Sequence, residues 1–277
     1  MSQHQTNGEH RESDFTTGDL STEGGQRFFQ QLISLWVEPE IERRQAAGTL
    51  APDPHFILTR AQVIFPSKID GGAVTVRLND EVRVIATLKI AEGRDIRAGQ
   101  LVLESDVESI VNMKLPDNEE VNSGHVTAVC FRGLWAIAFD FRRNLDRVRR
   151  RLDLAEKYFN AAMLSAGKGL TEPALESLWA AAELAVVAEL GTLHEDVLLP
   201  ARGAHRRRQK NFSGWVRLGN APSGADQVLA SLAAGRRVHR YGEQSSPPIP
   251  EEVEAAFSKV RELIDHARSR SADLTAG

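Results

Sequence analysis

Cysteine is almost absent from this sequence: Cys130 stands alone, and a single thiol cannot build an intramolecular disulfide framework. No apolar run approaches the roughly 18 residues that a membrane-spanning helix requires, so no membrane association is expected. Residues 1–25 contain no apolar stretch of the kind found in secretory signals. These absences argue against a disulfide-stapled secreted scaffold and an integral membrane protein, and they predict a cytoplasmic location.

Charge is unevenly distributed along the chain. Residues 1–140 hold 13 Lys and Arg against 21 Asp and Glu, a net charge of −8, whereas residues 141–277 hold 21 against 17, a net charge of +4. A basic C-terminal half favours an anionic partner such as nucleic acid, although an ordinary solvated surface explains the same surplus. Arginine outnumbers lysine 27 to 7, which is typical of a GC-rich bacterial genome.

The N-terminal part begins with a polar segment and then turns helical. Residues 1–24 are polar without periodicity, which predicts a disordered tail. Pro39 then either kinks the helix that follows the tail or begins a second short one. The apolar residues that repeat at helical spacing before it are Phe28, Phe29, Leu32, Ile33 and Trp36.

The apolar period changes to two from Phe56 to Phe141, which indicates β-strands. Residues 74–78 and 82–90 both alternate and are separated by Asn79–Asp80, so they predict a hairpin. A second hairpin is predicted where two alternating segments flank Arg132–Gly133, because glycine suits a two-residue primed turn. Further strands near residues 56–65 and 100–112 complete a predicted antiparallel sheet of five or six strands, within a domain over residues 25–141.

The C-terminal half, residues 142–277, is predicted to be helical. A second helix, residues 172–190, is apolar around most of its circumference, which predicts a central position. A last helix begins at Pro250 with Glu251 and Glu252 in its first turn. The chain is therefore expected to be α+β, with an N-terminal helix and antiparallel sheet followed by an antiparallel helical bundle. The first helix of that bundle carries a narrow apolar seam of Leu145, Val148, Leu152, Ala155, Phe159 and Ala162.

A cationic cluster ends one of the later helices. Arg236, His239 and Arg240 share one helical face, and Arg237 and Tyr241 lie beside them. The same face is apolar towards its N-terminus, so it points at least partly inward. Burying cations on such a face is unfavourable unless carboxylates from another helix or a phosphate ligand neutralise their charge.

Glu183 is the carboxylate that the central helix offers, because it lies in an apolar setting between Trp179 and Val186. We expect it to pair with Arg236 or Arg240 across the core and to fix helix register. A solvated stripe and an active site are the two alternatives.

A second basic segment follows the central helix, and its composition predicts a loop. It could hold a phosphate backbone and stack a base. Alternatively, it is a solvated loop whose two aromatic residues cap the core. A further short helix is predicted around Trp215. The residues of the basic segment are Arg202, His205, Arg206, Arg207, Arg208 and Lys210, followed by Phe212 and Trp215.

The order of these helices, with an alanine-rich second helix and an Arg/His cluster in a later one, resembles the HEPN superfamily from about Arg142 to Arg270. The resemblance implies a homodimer. Catalytic members are metal-independent ribonucleases whose Arg precedes a His by four to six residues and steadies the phosphate, while the His handles the 2′-hydroxyl proton. Members often belong to toxin–antitoxin, defence or RNA-processing systems.

The expected arginine is missing before His239, where residues 232–234 are Leu, Ala and Ala, and Arg236 is too close. Arg261 and His266 match the spacing, but about 140° of helical rotation separates them. The sequence therefore predicts a non-catalytic module that binds RNA, a nucleotide or a partner, without metal or cofactor. The alternatives are a ribonuclease that uses His239 with Arg236 or Arg261 with His266, and a purely structural protein.

Overall fold

A computed structural model describes residues 23–52, 55–116, 121–199, 203–241 and 250–272, with the side chains at 195, 196 and 236–241 outside the description. The chain divides into two compact units. The first comprises the chain up to Phe65 with Ala73–Glu119 and Gly124–Asp140, and the second comprises Pro66–Gly72, Glu120–Ser123 and Phe141–Gly277. The α+β class is confirmed, because N-terminal helices and antiparallel sheets precede the C-terminal helices.

The N-terminal helical region contains two helices, α1 (Glu23–Leu32) and α2 (Glu38–Ala46), joined by a π-helical turn over Ile33–Val37. Pro39 lies in the first turn of α2, where its missing N–H is not needed. A proline ring clashes with the carbonyl four residues earlier in a continuous α-helix, and the wider turn relieves that clash. Of the two predicted alternatives, Pro39 begins a second helix.

Helix α1 starts two residues earlier than predicted. Glu23 and Gly24, which were assigned to the disordered tail, form its first turn, and the Glu23 carboxylate pairs with Arg27 one turn later. The rest of the predicted tail, residues 1–22, lies outside the described residues.

The strands form two antiparallel sheets where one was predicted. The described strands are β1 (Arg60–Phe65), β2 (Thr75–Leu78), β3 (Ile85–Ile90), β4 (Val107–Lys114), β5 (Gly124–Phe131) and β6 (Leu134–Asp140). A four-stranded sheet has the order β2-β1-β5-β6, and β3 pairs with β4 in a separate two-stranded sheet.

One predicted hairpin is confirmed and the other is wrong. β5 and β6 pair through a two-residue loop in which both Arg132 (φ 51°) and Gly133 (φ 76°) are left-handed, as a primed turn requires. β2, however, pairs with β1 and not with β3. The reason lies at Asn79, whose Oδ1 accepts a hydrogen bond from the Thr59 N–H at 2.8 Å and whose Nδ2 donates to the Ile57 carbonyl at 2.9 Å. These contacts hold the end of β2 against the segment that leads into β1.

The described part of the second unit contains five α-helices, of which α4 (Thr171–Gly191) contacts each of the other four. Most α4 residues are buried, and so is every residue of the seam predicted on α3. Within the part of the chain that the structure describes, no helix combines the length and apolar content needed to cross a bilayer. The HEPN-like arrangement itself stays a prediction. The helices are α3 (Leu145–Gly167), α4 (Thr171–Gly191), α5 (Ala204–Arg217), α6 (Ala225–Tyr241) and α7 (Pro250–Ser271).

Candidate anion-binding site

Apart from Arg202, which lies outside the described residues, the basic segment after α4 belongs to a helix, α5 (Ala204–Arg217), and is not the predicted loop. The short helix predicted around Trp215 is confirmed as the last part of α5. Arginine and lysine are strong helix formers. The helix is anchored because Phe212 is fully buried in the core and Trp215 packs against it from a half-buried position. A helical backbone sends the basic side chains in different directions, so the segment has an inner and an outer group.

The inner group pairs with Glu183. Arg208 donates from Nη1 to Glu183 Oε1 at 3.1 Å and from Nε to the Val197 carbonyl at 3.2 Å. His205 contacts the same Glu183 oxygen through Nδ1, and its ring lies 5.9 Å from the Trp179 ring. The partners that the structure describes for Glu183 therefore come from α5, whereas the sequence predicted them from α6.

The outer group consists of three exposed cations, Arg206, Arg207 and Lys210. No carboxylate oxygen of a described residue lies within 4.0 Å of their charged nitrogens. Cations without a neighbouring carboxylate attract phosphate oxygens more strongly than neutralised ones. This surface can therefore contact an anionic polymer or nucleotide.

A cavity of about 430 Å³ lies between α4, α5 and α6. Its volume falls within the range of small-molecule sites. Apolar side chains of α4 and α6 form part of the wall, and basic side chains of α5 line the opening. The lining residues are Trp179, Glu183, Val186, His205, Arg206, Arg208, Gln209, Leu229 and Ala233.

The cationic cluster of α6 can be placed only by its backbone. Leu229 and Ala233 line the cavity, and helical spacing carries the same face on to Arg236 and Arg240. The side chains of Arg236, Arg237, His239, Arg240 and Tyr241 lie outside the described residues.

The structure does not bring Arg261 and His266 together. Arg261 donates to both oxygens of Glu156, at 2.9 and 2.7 Å, and lies 4.1 Å above the Phe159 ring. Its hydrogen bonds lower the pKa of the Glu156 carboxyl. His266 instead has Nδ1 3.3 Å from Glu189 Oε2. The two side chains face α3 and α4 respectively, because a five-residue spacing turns them well apart on the helix.

Glu189 was not singled out in the sequence, although an acid in an otherwise apolar helix was a visible signal. Its carboxylate has no exposed surface. It accepts a hydrogen bond from Trp215 Nε1 at 3.1 Å and forms an ion pair with Arg270, whose Nε lies 2.9 Å from Oε1, in addition to the contact with His266. Because these contacts engage both oxygens, the Glu189 carboxylate joins α4, α5 and α7 and is not itself open to a ligand.

Among the residues that the structure covers, no group of three or more His, Cys, Asp or Glu side chains could hold a metal ion. No family model, curated protein or solved structure matches the chain. The resemblance to the HEPN superfamily therefore rests on the sequence features alone.

Proposed function

We propose that the protein is a cytoplasmic bacterial protein whose C-terminal unit is a HEPN-like, non-catalytic module that binds RNA or a nucleotide at α5. The observation that carries the proposal is the group of exposed cations, Arg206, Arg207 and Lys210, beside the cavity. Guanidinium groups recognise phosphate, and the His205 ring, whose side chain is 60% exposed, offers a surface on which a base can stack. A stress, defence or toxin–antitoxin role is the context that the resemblance implies.

The charge arrangement supports binding over catalysis. The arginine that fits the ribonuclease spacing, Arg261, is already bound through both terminal nitrogens to Glu156. An arginine engaged in this way is a poor partner for a scissile phosphate. The exposed cations of α5, in contrast, have no such carboxylate among the described residues.

Fluorescence anisotropy with labelled single-stranded RNA and with a labelled nucleotide tests the proposal. Replacing Arg206, Arg207 and Lys210 together by alanine should weaken binding by about tenfold or more, since each phosphate contact is lost. A matched control removes three exposed cations elsewhere in the unit, namely Lys157, Lys168 and Arg217. Equal weakening by both triple variants would show non-specific charge attraction and would contradict a site on α5, as would absence of binding.

Ribonuclease activity is the second candidate, and one observation favours it. The His266 ring is oriented by the buried Glu189 carboxylate while its own side chain stays 32% exposed, as a general base requires. Incubation with labelled RNA in EDTA tests this function. Cleavage lost in His266→Ala or in His239→Ala would establish it, and intact RNA would exclude it.

We also propose that the module forms a homodimer. Leu154 and Tyr158 share one outer face of α3 and are 43% and 41% exposed, and Leu164, nearer the end of the helix, is 69% exposed. Exposed apolar side chains that follow one helix are typical of interaction surfaces. Size-exclusion chromatography with light scattering should give twice the 30.5 kDa of one chain. A mass of one chain at every concentration would contradict self-association.

A further inference from the structure

Four arginines, Arg147, Arg150, Arg151 and Arg208, lie close enough together for the charges of the other three to act on Arg151, and each of those three has a carboxylate partner. Arg147 donates to Asp70 at 3.2 Å, Arg150 lies 4.0 Å from Asp146, and Arg208 donates to Glu183 at 3.1 Å. The fourth arginine, Arg151, differs from them.

Arg151 binds only backbone carbonyls within the described part of the chain. Its Nη1 donates to the Arg147 carbonyl and its Nη2 to the Leu198 carbonyl, both at 3.2 Å. No carboxylate oxygen of a described side chain lies within 4.0 Å of its guanidinium. These two carbonyl oxygens hold the side chain in place but carry no formal charge to offset that of the guanidinium.

Arg151 and Arg208 bind the carbonyls of consecutive residues, Leu198 and Val197, so both guanidinium groups lie at the short turn Glu195–Leu198 that follows α4. Burial lowers the pKa of Arg151, and the positive charges of Arg208, Arg147 and Arg150 lower it further. A half-buried cation among like charges is unfavourable until an anion joins it.

We propose that Arg151 and Arg208 form a seat for one phosphate-type oxyanion, distinct from the exposed cations of α5. Each guanidinium carries five N–H donors, and the described contacts use only two from Arg151 and two from Arg208. Their remaining donors suit the oxygens of a phosphate, which planar guanidinium groups bind in pairs. The seat does not depend on RNA binding, and the phosphate can be free or part of a nucleotide.

Thermal unfolding in inorganic phosphate and in chloride at equal ionic strength tests the seat, together with calorimetric titration of phosphate. Phosphate should raise the Tm of the wild-type protein, because it binds the folded state. In Arg151→Met the rise should disappear and phosphate affinity should fall by about tenfold or more. The control Arg150→Met should retain both, since Arg150 already has a carboxylate near it.

The stability of Arg151→Met in chloride separates ligand binding from a purely structural role. If Arg151 is an uncompensated cation, this variant unfolds at the wild-type temperature or above it. If Arg151 serves only to bind the Leu198 carbonyl, Arg151→Met unfolds at a lower temperature than the wild type. In that case phosphate does not raise the wild-type Tm above its value in chloride, and the proposal is overturned. Arg151→Lys gives a second variant that keeps the charge; it should fold and bind phosphate more weakly, and wild-type affinity in it would contradict a guanidinium seat.

Two further arms locate the anion and identify its source. The triple alanine variant of Arg206, Arg207 and Lys210 should keep the phosphate-induced rise in Tm even if it loses RNA binding. Loss of this rise would show that phosphate binds at the exposed cations of α5 and would contradict the proposed seat. A nucleoside monophosphate that competes with inorganic phosphate in the titration supports a nucleotide source. Binding of inorganic phosphate without such competition supports free phosphate.

Discussion

Two of the acidic residues of helix α4 are Glu183 and Glu189, and side chains from other helices contact each of these two carboxylates. Glu183, 15% exposed, receives Arg208 and His205 from α5, and the fully buried Glu189 receives donors from α5 and α7. A buried charge without donors costs several kcal/mol, whereas a paired one contributes little net stability but discriminates against wrong helix packing. We infer that both acids define how the helices meet.

Replacing Glu183 by glutamine should lower the free energy of unfolding by about 2 kcal/mol, because Arg208, whose side chain is 17% exposed, loses its counter-charge. Thermal denaturation measures the effect. The exposed Glu172 on the same helix provides a control, since Glu172→Gln should leave the Tm nearly unchanged. An unaltered Tm in Glu183→Gln would argue against a structural role for this ion pair.

Glu189→Gln should lower the free energy of unfolding by more, about 3 kcal/mol. The reason is that this fully buried carboxylate contacts Trp215, Arg270 and His266 together. Urea denaturation gives the value. Removing both charges in Glu189→Leu with Arg270→Met should be less harmful than Glu189→Gln alone, since no buried charge is then left unpaired. A double variant that is less stable than Glu189→Gln would contradict this account of the buried ion pair.

The partners of these acids could not be predicted from the sequence. Burial of Glu183 was visible in its apolar neighbours, but the basic first part of α5 was predicted to be a loop, and the sequence therefore did not indicate Arg208 as its partner. Which helix supplies a counter-charge depends on tertiary packing, and local spacing does not encode it. For the same reason the sequence did not indicate that Arg151, unlike its arginine neighbours, binds backbone carbonyls and no described carboxylate.

At the scale of secondary-structure elements, regular periodicity was the most reliable signal. The seam of α3, the start of α7 at Pro250 and the β5–β6 hairpin are all confirmed, because each depends on residues close in sequence. The pairing of β2 was predicted wrongly, since the contact that decides it joins Asn79 to Thr59, 20 residues earlier. Local patterns predict elements better than the pairing between them.

The ion-pair network of α2 predicts how acid affects the first unit. Hydrogen bonds from Arg43 and Arg44 lower the pKa of Glu40 from 4.5 to about 2, and Arg44 also lowers the pKa of Glu81. A carboxyl whose pKa is lower in the folded state stabilises the fold above its unfolded pKa and loses that contribution as pH falls. The stabilisation should therefore be complete above about pH 4.5 and vanish towards pH 2.

Comparing wild type with Glu40→Gln by thermal denaturation between pH 6 and pH 2 tests this dependence. The wild-type protein should be the more stable one at pH 6, and the gap in Tm should close as the pH approaches 2. Glu38→Gln provides a control in the same helix, because Glu38 lacks an ion pair with a described residue. A gap that stays constant over this range would show that the Glu40 network does not carry the effect.

At the scale of the whole molecule, the two halves of the sequence differ in charge, with net −8 over residues 1–140 and net +4 over residues 141–277. The basic surplus alone is compatible with an ordinary surface. The structure adds the position of the cations, since Arg206, Arg207 and Lys210 are exposed on one helix while Arg208 is paired inside. A local concentration of uncompensated charge is the physical basis of the proposed RNA or nucleotide binding.

The salt dependence of RNA binding tests this central claim most directly. We expect the logarithm of the association constant for single-stranded RNA to fall linearly with the logarithm of salt concentration. The slope for the triple alanine variant of Arg206, Arg207 and Lys210 should be smaller in magnitude by about 2, because each lost phosphate contact removes about 0.7. Identical slopes for the wild type and this variant, or binding that is indifferent to salt, would contradict the account.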